Sequence, residues 1–178
     1  GNLVNGSLAT PGDLHRYSFS VPAAAQLYFD ALTNNDNLTW TLTGPAGTTI
    51  NARRFTNGLN NNVVVTAGDY MLTIDLPGAE TGAYAFRLSD FAAATALSPG
   101  TPVSGEWNPG SETDLYKFSA AAGDRFYFDV QASTFGGALT LVIMRFRLMP
   151  MPALLPGQEW AARLHRIDAG VTYGICLF

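Results

Sequence analysis

Along the first half of the chain, apolar and polar positions alternate with a period of two. Leu38, Trp40 and Leu42 fall on one side of an extended segment and Thr39, Thr41 and Thr43 on the other, as in a half-buried strand with a β-branched polar face. The same alternation sets Tyr70, Leu72 and Ile74 against Met71, Thr73 and Asp75, and Tyr84, Phe86 and Leu88 against Ala83, Ala85 and Arg87. Gly44-Pro45-Ala46-Gly47, Asn57-Gly58, Asn60-Asn61-Asn62 and Pro77-Gly78 lie between the runs and supply turn dihedrals. The pattern predicts strands at Ser7–Leu8, Arg16–Val21, Gln26–Leu32, Leu38–Thr43, Thr48–Ile50, Val63–Thr66, Asp69–Asp75 and Ala83–Phe91. No helical period competes with them, so the expected fold is an all-β antiparallel sandwich of jelly-roll type.

A second copy of the pattern follows the first. Tyr17-Ser18-Phe19 and Leu27-Tyr28-Phe29-Asp30 return 99 positions later as Tyr116-Lys117-Phe118 and Phe126-Tyr127-Phe128-Asp129. Leu38–Leu42 answers Leu139–Ile143 at an offset of 101, and Tyr70 answers Tyr173 at 103. A drifting offset is what loop insertions produce. Two tandem modules are therefore expected, 1–95 and 96–178, joined where small residues, Ser98-Pro99-Gly100 and Pro102 interrupt the alternation.

The second module is expected to be incomplete or irregular. It diverges after about 143, where a Met/Arg/Pro-rich run from Met144 replaces the Gly-Pro turn, and it lacks a counterpart of Gly82–Phe91. Either Met144–Phe178 is an elaborated loop that completes the second sandwich, or it is frame-shifted text. An unpaired edge left by a missing strand would invite dimerisation. The chain opens at Gly1 without a basic-then-apolar leader, which reads as a mature piece or a fragment.

Composition narrows the function. Only 13% of the 178 residues are charged, against about a quarter in an ordinary soluble domain, so Thr, Ser, Asn and Gly must face water. The net charge of -4 and a single lysine, Lys117, argue against a nucleic-acid partner. No run approaches the ~18 consecutive apolar residues of a spanning helix, and no membrane insertion is expected. Charge is unevenly placed: Met144–Arg166 carries four Arg and one Glu, leaving -7 for the remainder.

The ordered motifs resemble the bacterial pre-peptidase C-terminal domain. They are Gly6/Leu8, Pro11-Gly12-Asp13, Tyr17/Phe19, Phe29-Asp30, Leu38-Thr39-Trp40, Gly44-Pro45-Ala46-Gly47, Ala67-Gly68-Asp69-Tyr70 and Gly82/Tyr84/Phe86. Gly105–Phe118 is similar to the version found in tandem arrays on large secreted bacterial proteins. The resemblance implies a secreted or cell-surface location, a larger parent protein as partner, and a role as spacer, folding aid or adhesion unit. It also implies an alternative, a substrate-targeting module for polysaccharide or extracellular protein, with calcium as a candidate cofactor because some members are calcium-linked.

Candidate chemistry is sparse. His15 and His165 are the two histidines, and His15, between Leu14 and Arg16 at a strand entry, reads as an exposed surface residue. No nucleophile elbow, zinc-protease motif, phosphate loop or dinucleotide fingerprint occurs, and Cys176 reads as an inert buried thiol, so no enzyme is expected. Calcium needs about six to eight oxygens, and Glu112, Asp114 and Asp129, with Asp124, are the candidates to supply some of them; the first copy offers Asp13, Asp30 and Asp36. If Phe29 and Phe128 face the core, Tyr28/Asp30 and Tyr127/Asp129 point outward, where an exposed Tyr beside a carboxylate can stack on a sugar or grip a peptide.

Overall fold

The computed structural model describes residues 1–57, 61–106 and 111–120, together with the backbone of two later strands, Leu141–Arg145 and Val171–Leu177. The chain divides into two compact units, Gly1–Ala94 with Ser104–Thr113, and Thr95–Val103 with Asp114–Phe178. Residues 104–113 thus belong with the first unit, although the repeat matches them to its opening strand and turn.

All the strands expected in the first copy form: β1 (Leu3–Leu8), β2 (Leu14–Val21), β3 (Ala25–Ala31), β4 (Thr39–Gly44), β5 (Gly47–Arg54), β6 (Asn62–Val65), β7 (Gly68–Asp75) and β8 (Gly82–Asp90). They make two four-stranded antiparallel sheets, ordered β1-β8-β3-β6 and β2-β7-β4-β5. Apart from the β4-β5 hairpin, successive strands exchange sheets as in a jelly roll, and the two apolar faces close on one core. Phe29, Trp40, Leu42, Phe55, Leu72, Ile74, Tyr84 and Phe86 are buried there.

The motif glycines and acids have local structural reasons. Thr10–Asp13 is a turn in which Gly12 takes φ 83 and the Asp13 amide donates to the Thr10 carbonyl at 3.1 Å. The Asp13 carboxylate in turn accepts from the Thr10 amide at 2.8 Å. Tyr70 folds back so that its hydroxyl donates to the Thr66 carbonyl at 3.0 Å and accepts from the Thr66 amide at 3.1 Å, a tyrosine corner. The ring lies on Gly44, where an added Cβ would sit 2.1 Å from Tyr70 Cε1. In β1, Gly6 leaves the same kind of space for the Tyr84 ring.

In the second unit β9 (Thr95–Ala96), β10 (Asp114–Ala120), β11 (Leu141–Arg145) and β12 (Val171–Leu177) form one sheet, ordered β11-β12-β10-β9. Val171–Leu177, in the stretch where the sequence departs from its pattern, runs between β11 and β10. The registers of its two antiparallel pairs coincide with those of the first unit. Tyr17 opposes Leu72 and Leu72 opposes Leu42; Tyr116 opposes Ile175 and Ile175 opposes Ile143. Phe19 opposite Tyr70 becomes Phe118 opposite Tyr173. These correspondences keep the offsets of 99, 101 and 103 read from the sequence alone.

Candidate functional site

A polar cluster of the first unit lies on the outer face of the sheet containing β3. Asp30 on β3 stands directly opposite Arg87 on β8. Alternation sends Phe29 into the core, so Asp30 and Tyr28 emerge on the other side. They are nonetheless buried, at 1% exposure for Tyr28 and 3% for Asp30. This corrects the expectation of an exposed Tyr and carboxylate open to a ligand.

What covers them is the end of the first unit. A 3₁₀ turn, Phe91–Ala93, capped by the Asp90 side chain, brings the Phe91 ring edge-on to Tyr28 at 6.2 Å. Glu112 and Thr113 close the remainder. The Thr113 amide donates to Asp30 Oδ1 at 3.1 Å, and the Thr113 and Tyr28 hydroxyls lie 3.2 Å apart. Arg87 Nε donates to Asp30 Oδ2 at 3.1 Å, and Arg87 Nη2 reaches Glu112 Oε1 at 2.5 Å. One guanidinium thus joins two carboxylates, and a buried charge is tolerable only when it is paired and hydrogen-bonded in this way. Burial still dominates at Asp30: its carboxyl is pushed up to about 6, against the opposing influence of Arg87 and Thr113.

This geometry bears on the calcium candidates. Glu112 is engaged by a cation that the protein itself supplies, and Arg87 holds positive charge where a metal would need to approach. Asp114 lies on β10 and hydrogen-bonds to Tyr116, whose hydroxyl is pushed up chiefly by burial and then by that carboxylate. Asp36 accepts from the Thr56 hydroxyl. Among the described residues, no group of three or more His, Cys, Asp or Glu side chains could hold a metal ion. Asp124, Tyr127, Asp129 and His165 fall outside the described residues, as does the side chain of Cys176.

A second cluster joins the two sheets. Tyr84 on β8 brings its hydroxyl 2.5 Å from His15 Nδ1 and 2.6 Å from the Tyr17 hydroxyl, both on β2. His15 is therefore half-buried and partnered, not the exposed surface histidine expected. Its partner lies 69 positions away, beyond the reach of local sequence pattern. Burial, and then the hydrogen bond with Tyr17, pushes the Tyr84 hydroxyl far up, so it stays protonated at neutral pH. The cluster's groups exchange hydrogen bonds across the sandwich and so cross-link β8 to β2.

No family model and no curated protein matches the chain. Among solved structures, it is similar to the pre-peptidase C-terminal domain of collagenase from Bacillus anthracis, with 19% identity over 49% of this chain and 88% of that chain and a TM-score of 0.40. It is also similar to the CUB1-EGF-CUB2 region of human MASP-1/3, with 8% identity over 97% of this chain and 92% of that one and a TM-score of 0.29.

Proposed function

We propose that the chain is a tandem pair of copies of one non-catalytic β-sandwich module, belonging to a secreted or cell-surface bacterial protein and acting as a spacer or folding unit within it. The observation that carries this reading is the shared register: β2-β7-β4 and β10-β12-β11 align the same sequence-matched rows. A row match over three strands is demanding, because a slip of one residue would turn every side chain to the opposite face.

The distribution of aromatic rings favours a spacer over a binding platform. Among the described residues every Tyr, Phe and Trp is buried or half-buried, whereas sugar or peptide recognition by stacking needs exposed flat rings. The outer face of the sheet β2-β7-β4-β5 instead carries Arg16, Thr73 and Thr41 in one cross-strand row and Ser18, Met71 and Thr43 in the next. The polar groups that most resemble a site are occupied in fastening residues 112–113 to β3 and β8.

Co-sedimentation with insoluble polysaccharides and with fibrillar collagen tests the proposal. Retention equal to that of an unrelated β-sandwich of similar charge is expected. Saturable retention above that control would replace the spacer with a substrate-targeting module.

A further inference from the structure

An edge strand presents a row of free N–H and C=O groups, and proteins cover or protect such edges. The two units differ in how they treat the same edge. In the second unit, β9 lies parallel to β10, with Thr95 opposite Tyr116 and Ala96 opposite Lys117. The Leu97 amide extends the pairing by donating to the Lys117 carbonyl at 2.7 Å. In the first unit, β2 is the matching strand and is last in its sheet, pairing among the described residues with β7 alone.

The register says which groups wait on that edge. Ser18 is the counterpart of Lys117 in a strand pair of identical register. N–H and C=O of one strand residue point to the same side, so those of Ser18 point away from β7, as those of Lys117 point toward β9. Leu14, Arg16, Ser18 and Ser20 are exposed along this strand. A bulky incoming chain is not required: Thr95 and Ala96 are small and uncharged, and pairing is through backbone alone.

We infer that the outer edge of β2 is a docking edge for an extended linker strand that enters the module parallel to β2, in the place Thr95–Ala96 take on β10. The occupant is a linker of the same small-residue type, contributed by the parent protein in which the module is strung. This inference rests on the tandem reading above. Its consequence is mechanical: each linker is stitched into the module it enters, which stiffens an array without any side-chain specificity.

The test is amide hydrogen exchange on the chain as it stands and on the chain extended at Gly1 by a copy of residues 91–99. That length gives the copied Thr95 and Ala96 the same spacing to Tyr17 and Ser18 that they have to Tyr116 and Lys117. The Lys117 amide is expected to be protected in both chains, while the Ser18 amide slows at least ~10-fold only in the extended one. A copy with Leu97→Pro, which removes the donating amide, should leave Ser18 unprotected. Fast Ser18 exchange in the extended chain, with Lys117 protected, overturns the docking inference and leaves the tandem reading standing. Fast Lys117 exchange in both chains removes its premise and overturns it as well. Ser18 protection that is already present in the unextended chain and is lost on dilution assigns the edge to a second copy, which also overturns it.

Discussion

Phe29 on β3 lies flat against Trp40 on β4, with ring centroids 4.5 Å apart and planes 11° from parallel. One stacked pair thereby ties the two sheets of the first unit together. Phe86 stacks on Phe29 at 5.0 Å, and Phe55 meets it edge-on at 5.1 Å. Phe29 is fully buried at the centre of this aromatic group. Phe29→Ala is expected to cost about 3–5 kcal/mol, the range for removing a buried ring and leaving a cavity. Urea unfolding of the two chains checks this.

Arg87 neutralises a carboxylate that has nowhere else to go. Arg87→Ala should destabilise by about 3 kcal/mol, at the low end of the range for breaking a buried pair because the Arg87 side chain is 27% exposed. Adding Asp30→Asn removes the stranded charge, so the double variant should recover part of that loss. Denaturant midpoints at unchanged slope separate the two outcomes. A double variant less stable than Arg87→Ala would contradict the account of Asp30.

The same carboxyl predicts a pH dependence. Its folded value of about 6 lies above its ordinary 3.8, so between the two the native chain holds a proton that the unfolded chain has released. The stabilising contribution is complete below 3.8 and is lost as pH rises through 6. Melting temperature measured from pH 4 to 7.5 should therefore fall more steeply in this window for the native chain than for Asp30→Asn. Parallel curves would assign the slope to other groups.

Gly44 and Gly47 flank the same hairpin turn and should fail for different reasons. Gly44→Ala drives a Cβ into the Tyr70 ring and so disturbs the tyrosine corner, at an expected cost of about 1–3 kcal/mol. Gly47→Ala meets no atom within 4 Å but must hold φ 97, which costs about 1–2 kcal/mol through the backbone alone. Tyr70→Phe removes the hydroxyl bonds to Thr66 but keeps the ring, so its cost should shrink in a Gly44→Ala background where the ring has already been displaced from the corner, whereas Gly47→Ala with Tyr70→Phe is additive.

Calcium should leave the first unit's stability unchanged, since Arg87 already satisfies Glu112. Thermal melts with calcium and with chelator are expected to agree within about 1 °C, where 1 kcal/mol of binding would shift the midpoint by several degrees. A larger difference would return the carboxylates to the candidate metal set.

Much of the first unit is legible in its sequence because strand direction is a local property. Alternation placed Trp40, Leu42, Leu72, Ile74 and Phe86 inside, and all are buried. It also placed Tyr28 and Asp30 on the side opposite Phe29. It could not show what lies above them, because Thr113 is 85 positions from Tyr28 and is brought there by the path of the chain. Arg87 was legible only as the polar side of a strand. Its task emerges from the cross-strand register with Asp30 and from the return of Glu112. The proposed repeat rests on a different kind of signal: the aromatic anchors Tyr17/Phe19 and Tyr116/Phe118 keep one spacing while the offsets further along drift from 99 to 103.

Cross-strand proton contacts test the proposed repeat most directly. In antiparallel sheets the non-hydrogen-bonded pairs bring opposing backbones closest, at about 4.5 Å between Cα atoms. Ser18 and Met71 are such a pair in the first unit, and Lys117 and Gly174 hold the matching position in the second. Strong Hα–Hα contacts at both pairs, in one NMR data set, are the result expected of two copies of one module. A second unit in which Lys117 faces a residue other than Gly174 while Ser18 still faces Met71 would contradict it.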